Sequence, residues 1–390
     1  MVETDTSMGT YEKKRLEYRK WWPLLEKETW INHASHSPMS IKTIEAMKRF
    51  TDGMSIAPMR PYTDWYEQQD KTRTLMAQFV NATEDEIFFN FNTSLSLSML
   101  TRQIDWQPGD NIIVPDRTFP SIVMPAKLLT QWGVEARRVE CVDGLISEDA
   151  LISSIDKRTK MMIVPLVNFL TGLRLDVAKI ARECRRAGVF LAVDAIQAAG
   201  PVKIDVRALG CHALCFGSPK WMFGPMGIGT CFIEREYIRK LKIPQVGMYA
   251  VKDPWNFFNY DQDFVDVAMV YECGCPAMMS HYGINPTLEM FLDIGPENIE
   301  NYILKITGDF HDELTSRGVN VLTPREDSRR GAIISFDAAS AGWENATELL
   351  AALDDKSVRV AERMGMIRVS PHFYNTPEEL DRVLDITFNR

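Results

Sequence analysis

Short apolar runs punctuate the middle of the chain: "NIIVP" (111–115), "MMIVPL" (161–166) and "VFLAVDA" (189–195). Each is shorter than a helix needs and rich in Val and Ile, which predicts buried strands. Between the last two lies "DVAKIARECRRAG", with Val177, Ile180, Ala181 and Cys184 at i, i+3, i+4 and i+7. That spacing lines one face of a helix; Asp176 suits its N-cap and Gly188 the position past its end. Strand, helix and strand at these intervals predict an α/β fold with a largely parallel sheet covered by helices. In such sheets functional groups gather beyond the carboxyl ends of the strands.

After about residue 275 the pattern changes. A long helical stretch, "PTLEMFLDIGPENIENYILKITGDFHDELTSRG", leads to "GAIISF" (331–336), "ATELLAALDD", "GMIRVS" and "TPEELDRVLDITFNR". Helices alternating with two short strands predict a small α+β domain packed on the large one. The expected division is an N-terminal arm and helix over 1–45 that pack with the small domain, a large domain over 46–275 and a small C-terminal domain over 276–390.

At 390 residues, 45% hydrophobic and 25% charged, the chain has the composition of a globular protein of more than one domain. Its formal charge of -9 leaves no basic footprint for nucleic acid. No run approaches the ~18 apolar residues of a membrane span. The polar start, "MVETDTSMGTYEKKRLEYRK", is unlike a secretory signal, so a cytoplasmic location is expected. The seven cysteines (141, 184, 211, 215, 231, 273 and 275) show no paired framework, which predicts reduced thiols. Cys273 and Cys275 have no second pair at zinc-ligand spacing, and His33 and His36 have no third ligand nearby, so no metal is expected.

The chemistry centres on "FGSPKWMFGP" (216–225), where Lys220 sits among apolar neighbours. Lysine is rarely buried without a purpose. "VDAIQ" leaves Asp194 past one strand, with Gln197 close behind; "VPLVNFLTG" leaves Asn168 past another and "VPDRTFPS" Phe119 past a third. "FFNFNTSLSLSML" passes from a strand into a helix whose start carries Asn92, Thr93 and Ser94. A helix N-terminus with hydroxyls suits a phosphate, and a flat aromatic can stack on a planar ring. A carboxylate at Asp194 can hold a pyridine nitrogen protonated, and Lys220 can form a Schiff base with an aldehyde. Gln197 and Asn168 can donate to the ring's phenolic oxygen. Taken singly, Asp194, Thr93 and Ser94 are more often helix caps and Phe119 is more often core. In order, they describe a site for pyridoxal 5′-phosphate (PLP).

The motifs "NHASHSP", "FNTSLS", "DRTFPS", "VNFLTGLRLDVAKIA", "VDAIQAAGPVKIDVRALG", "GSPKWMFGPMGIG", "ECGCP" and "IRVSPHFYNTPEELDRV" run in that order from about Asn32 to the C-terminus. With them the chain resembles the class V aminotransferases, the fold-type I PLP enzymes that include cysteine desulfurases, isopenicillin N epimerases and kynureninases. The resemblance implies a large domain with a mostly parallel seven-stranded sheet and a small α+β C-terminal domain. It implies Lys220 as the Schiff-base lysine, Asp194 as the pyridinium partner and Arg368, in "IRVS", as the clamp on the substrate α-carboxylate. It also implies a homodimer with active sites at the interface, where "ECGCP" is lent to the neighbour's phosphate. There Gly274-Cys275 replaces the Gly-Thr common in relatives, and Pro219 replaces their His or Tyr, leaving Ser218 as the nearest hydroxyl. Asn32, His33 and Tyr62 are further expected to line the substrate pocket.

The substrate implied is an amino acid, not identified further, and the main reading is an aminotransferase-like reaction begun by Cα deprotonation. A side-chain lyase or a Cα epimerase is the alternative, and a scaffold that keeps the fold without turnover is the alternative of another class. A persulfide-type cysteine desulfurase is read as excluded, because no cysteine occurs between 276 and 390 to carry the sulfur.

Overall fold

The computed structural model describes residues 3–57 and 62–389, without the side chains of 3–8, 10, 62 and 63; the side chain of Tyr62 thus lies outside the described residues. Seven strands form the central sheet: β1 (Ile87–Asn90), β2 (Asn111–Pro115), β3 (Glu135–Val139), β4 (Thr159–Pro165), β5 (Phe190–Asp194), β6 (Ala213–Gly217) and β7 (Gly229–Ile233). Their spatial order is β1-β7-β6-β5-β4-β2-β3. β7 runs against both of its neighbours, and the other pairs are parallel.

Alternation along each strand divides the core in two. Ile113, Met162, Val164, Leu191 and Val193 face one side. Ile112, Val114, Met161, Ile163 and Ala192 face the other. Both faces are covered, which is why these runs read as continuously apolar. Helices α4 (Thr93–Gln103) and α5 (Pro120–Leu129) cover one face, and α6 (Val177–Ala187) covers the other. The ends of α6 form as expected: the Asp176 carboxylate accepts from Lys179 N at 2.9 Å, and Gly188 ends the helix at φ 69°.

Before the sheet come α1 (Glu3–Arg19), α2 (Ile41–Ile56) and α3 (Tyr62–Val80). The helical stretch expected after Pro286 proves to be two helices, α7 (Met278–Ile294) and α8 (Pro296–Ser316). They separate at Gly295, whose φ of 91° no helix continues. Pro286 lies inside α7 rather than starting it. Burial of Ile284, Leu288 and Phe291 in the large core outweighs the hydrogen bond that proline cannot donate.

The small sheet has three strands, β8 (Ile334–Asp337), β9 (Ala361–Arg363) and β10 (Met366–Val369), antiparallel in the order β9-β10-β8. β9 was not expected, because "AER" carries no apolar alternation and gains its shape only by pairing with β10. Helices α9 (Ala346–Asp355) and α10 (Pro377–Phe388) cover this sheet through Leu349, Leu353, Leu380 and Val383. The N-terminal segment lies alongside: Thr29–Trp30 pairs with Val358–Arg359 as a separate two-stranded sheet, and Arg19 bonds Glu379 at 2.8 Å.

The loop after β4 ties the two sheets together. Gly331 N donates to Gly172 O at 2.9 Å, and the Ser335 hydroxyl donates to Leu170 O at 2.5 Å. A Cβ on Gly172 would stand 2.2 Å from Ile333 O, and its φ is 70°. Gly172→Ala is therefore expected to lower stability by about 2–4 kcal/mol, seen as an earlier denaturant midpoint. A midpoint within error of the wild type would show that this contact yields.

Candidate active site

Lys220 follows β6 at the carboxyl end of the sheet, and the residues after it explain its apolar company. Trp221, Met222 and Phe223 are fully buried. Trp221 donates its indole N–H to Gln197 Oε1 at 2.7 Å, and its carbonyl lies 2.9 Å from His372 Nε2. Phe223 holds a left-handed φ of 56° and packs on Trp22 and His372, with ring centroids 4.6 and 4.5 Å away. Gly200 admits this plug, since a Cβ there would meet Trp221 O at 2.6 Å. The lysine thus stands on a rigid aromatic base.

Its amine faces a cleft of about 460 Å³, a size suited to a cofactor. The cleft is lined by Thr93, Ser94, Phe119, Asp194 and Lys220, so the fold gathers five of the expected residues at one place. The Lys220 amine lies 5.4 Å from the Phe119 ring centroid. Burial pushes its pKa down to about 8; the Asp194 carboxylate opposes the drop, and Arg368 and Arg363 add to it. Asp194 is buried and its pKa is raised to about 6 by desolvation, against a hydrogen bond from Ile196 N at 2.9 Å and the nearby Lys220 charge.

At the far end, α4 points its N-terminus into the cleft. Asn92 caps it by accepting from Leu95 N at 2.9 Å, which leaves Thr93 and Ser94 N–H without helical partners. The hydroxyls of Ser94 and Ser121 lie 2.6 Å apart. Glycines let the strands approach closely: a Cβ on Gly229 would come within 2.7 Å of the Asn92 carbonyl carbon, and one on Gly217 within 3.2 Å of Thr93 Oγ1.

Other expected residues stand behind or beside the cleft. Gln197 is buried, bonded to Trp221 and to Ala34 O at 3.1 Å. Asn168 is buried too; its Oδ1 accepts from Leu170 N and Thr171 N, and its amide donates to Arg117 O at 3.1 Å. Ser218 closes the following turn by donating to Pro225 O. Gly274 and Cys275 line a neighbouring hollow that shares Phe91, Gly227 and Ile228 with the cleft. His33 is fully buried between Ser370 O and the Tyr374 hydroxyl, and burial lowers its pKa to about 3. Asn32 bridges to Ser370, with a buried Oδ1 that has no hydrogen-bond partner among the described residues.

Arg368, on β10, is 1% exposed. It donates to Phe169 O at 2.8 Å and to Ser35 Oγ at 2.6 Å, while its Nε finds no partner among the described residues. Among the described residues no carboxylate pairs with it. Burial lowers its pKa to about 9, with Arg363 contributing. A buried guanidinium without a counter-ion calls for an anionic ligand. Sequence reasoning passed over Ser121, Ser35 and Arg363. Ser121 and Ser35 lie inside motifs already singled out, whereas Arg363 is brought close only by the unforeseen β9 hairpin.

The class V aminotransferase model matches residues 31–383, and the chain belongs to that family. An uncharacterised aminotransferase of Bacillus subtilis is 25% identical over 95% of this chain and 96% of its own. A probable cysteine desulfurase of Methanothermobacter thermautotrophicus is 24% identical over 93% of this chain and 95% of its own. Among solved structures, a cysteine desulfurase from Thermococcus onnurineus shares 23% identity at TM-score 0.84, over 95% of this chain and 96% of its own. The cystine C–S lyase C-DES, in complex with its reaction product cysteine persulfide, shares 18% at TM-score 0.86, over 94% of this chain and 99% of its own.

These likenesses correct the exclusion of persulfide chemistry. Cysteine desulfurases share this fold across almost the whole chain, and in C-DES the persulfide is borne by a small-molecule product. A sulfur that leaves on the product needs no cysteine on the protein. The missing thiol between 276 and 390 therefore excludes nothing.

The cofactor is PLP, and the cleft fits it: free N–H groups and hydroxyls for a phosphate at one end, an aromatic face in the middle, a buried carboxylate and an amine. In the cofactor-free protein, labelling of Lys220 by an amine-specific reagent is expected to titrate near pH 8. Asp194, with a pKa of about 6, is ionised there and holds the ammonium. Asp194→Asn should therefore move the Lys220 midpoint to lower pH; a raised or unchanged midpoint contradicts the arrangement.

Proposed function

We propose that the protein is a C–S lyase acting on a sulfur-bearing amino acid, with Lys220 as the Schiff-base lysine and the base that removes the Cα proton. The observation that carries this reading is that Lys220 supplies the one amine among the described residues lining the cleft. When bound, PLP supplies an aldehyde that condenses with amines and a protonated ring that withdraws electrons from Cα. Asp194 would hold the proton on that ring nitrogen, Phe119 would offer its face to the ring, and Thr93, Ser94 and Ser121 would hold the phosphate. Arg368 grips the substrate α-carboxylate and so fixes which bond at Cα is presented for cleavage.

Epimerisation asks more of the site. It needs a proton returned to the opposite face of Cα, and among the described residues lining the cleft the one titratable group besides Lys220 is Asp194, which this reading assigns to the ring nitrogen. Elimination of sulfur needs little acid help, because a thiolate or persulfide is a good leaving group. With cystine, Lys220 takes the Cα proton, the Cβ–S bond breaks and cysteine persulfide departs; hydrolysis of the remaining three carbons gives pyruvate and ammonia. The likeness to C-DES favours the same reading.

A homodimer belongs to this proposal. Phe91 and Met226 at the cleft are exposed at 55% and 70%, and Phe257 and Phe258, in the loop beyond β7, at 60% and 86%, apolar surface that suits a second copy. The free thiols fit a reducing compartment, hence the cytoplasm.

Holoenzyme incubated with L-cystine should release pyruvate and persulfide in equal amounts, and borohydride reduction followed by peptide mapping should find the pyridoxyl group on Lys220. A keto acid retaining sulfur, or a racemised product without pyruvate, would overturn the lyase reading. Arg368→Ala should keep the bound cofactor's absorbance but weaken substrate binding by about two orders of magnitude or more, with partial rescue by Lys. Unchanged affinity would remove Arg368 from the site.

A further inference from the structure

Two arginines converge on one neutral oxygen. Arg368 Nη2 donates to Ser35 Oγ at 2.6 Å, and Arg363 Nη2 donates to the same atom at 3.1 Å. Ser35 is held in a turn in which its N–H donates to Asn32 O at 3.1 Å. A hydroxyl can accept from two guanidiniums but cannot offset their charge, and like charges this close repel.

No carboxylate relieves them among the described residues. The acid adjacent to Arg363, Glu362, is turned away, its Oε1 accepting from Gly365 N at 2.6 Å. Asp194 is committed to Ile196 N and the Lys220 charge. Nor does Arg363 hang on a floppy tip. It sits opposite Met366 at the last pair of β9 and β10, and the two turn residues, Met364 and Gly365, have φ of 54° and 81°, the signature of a tight hairpin. Arg363 also donates to Glu362 O at 2.7 Å.

One cation is thus buried and the other exposed, with Ser35 between them. In a chain whose net charge is -9, this concentration of positive charge beside Lys220 runs against the average. The arrangement has more cationic capacity than one α-carboxylate can use.

We propose that the substrate carries two carboxylates, the α-carboxylate on buried Arg368 and a distal one on Arg363 at the rim. This rests on the reading of Arg368 as the α-carboxylate clamp. The distal carboxylate belongs either to an acidic side chain or to the far half of a disulfide-linked amino acid, and the chemistry recognised is the same.

Calorimetry on the holoenzyme with glutarate and butanoate as probes tests the site without turnover. Glutarate should bind at least tenfold more tightly than butanoate, and Arg363→Gln should bring that ratio to within about twofold, with Arg363→Lys in between. Equal affinities in the wild type, or a glutarate preference that survives Arg363→Gln, would overturn the proposal. Kinetics give a second readout: Arg363→Gln should raise the KM for L-cystine relative to that for S-methyl-L-cysteine by about tenfold, with little change in the ratio of kcat values. Spectral titration with L-cystine and L-glutamate then identifies the source of the distal carboxylate. Should glutarate be preferred through Arg363 while cystine yields no persulfide, the lyase reading falls and the two-carboxylate site stands.

Discussion

An amine that is to act near neutrality must be kept partly out of water, and the fold is arranged around that requirement. Lysine in bulk water holds its proton far above physiological pH, and burial without a partner is costly. Here the compromise is struck by one carboxylate, Asp194, at the end of the adjacent strand. Desolvation pushes the amine down to about 8 and the acid up to about 6, and each group's charge opposes the other's shift. The sheet order makes this possible. β5 and β6 are neighbours and parallel, so the residues after their carboxyl ends emerge side by side. The plug of Trp221, Met222 and Phe223 then keeps the backbone behind the lysine from moving.

A second dependence links the two sheets. Arg368 belongs to the small sheet, yet one of its hydrogen bonds ends on Phe169 O, in the loop after β4. That loop is fixed to the small domain by Gly172, Leu170 and Ser335. The position of Arg368, the proposed carboxylate clamp, is therefore set by contacts of the large domain as much as by its own strand. Tilting one domain against the other would change the distance from guanidinium to amine, and with it the orientation of any bond at Cα.

How much of this was legible from residues alone follows their physics. Strands buried on both faces announce themselves as short apolar runs, and the α6 caps could be read because Asp176 and Gly188 act locally. The split at Gly295 was readable and missed, because Gly295-Pro296 is a local stop and restart signal; the hairpin strand β9 was not readable, since it depends on pairing with β10 rather than on local preference. Lys220, Asp194, Phe119, Thr93 and Ser94 could be singled out because each lies at or just past a strand end, and the sheet brings the five to one cleft. Gln197 and Asn168 satisfy the same positional rule, yet their side chains bond to the surrounding backbone and to Trp221, which position alone does not foresee. Arg363 escaped notice because an arginine beside a turn normally marks solvent.

The persulfide question shows where reasoning from a missing residue fails. A thiol on the protein is required only if the protein itself must hold the sulfur between two steps. If the Cβ–S bond breaks in a disulfide-linked substrate, the departing half carries the sulfur away already attached to a small molecule. The demands on the protein then shift from a mobile nucleophile to recognition of the departing half. A rigid hairpin cation at the rim answers that demand, whereas a flexible loop bearing a cysteine would answer the other. Arg363 is fixed by its turn, by Glu362 O and by Ser35, and among the described residues it faces no carboxylate. The geometry of the rim therefore favours a substrate held at both ends over a sulfur passed to the chain.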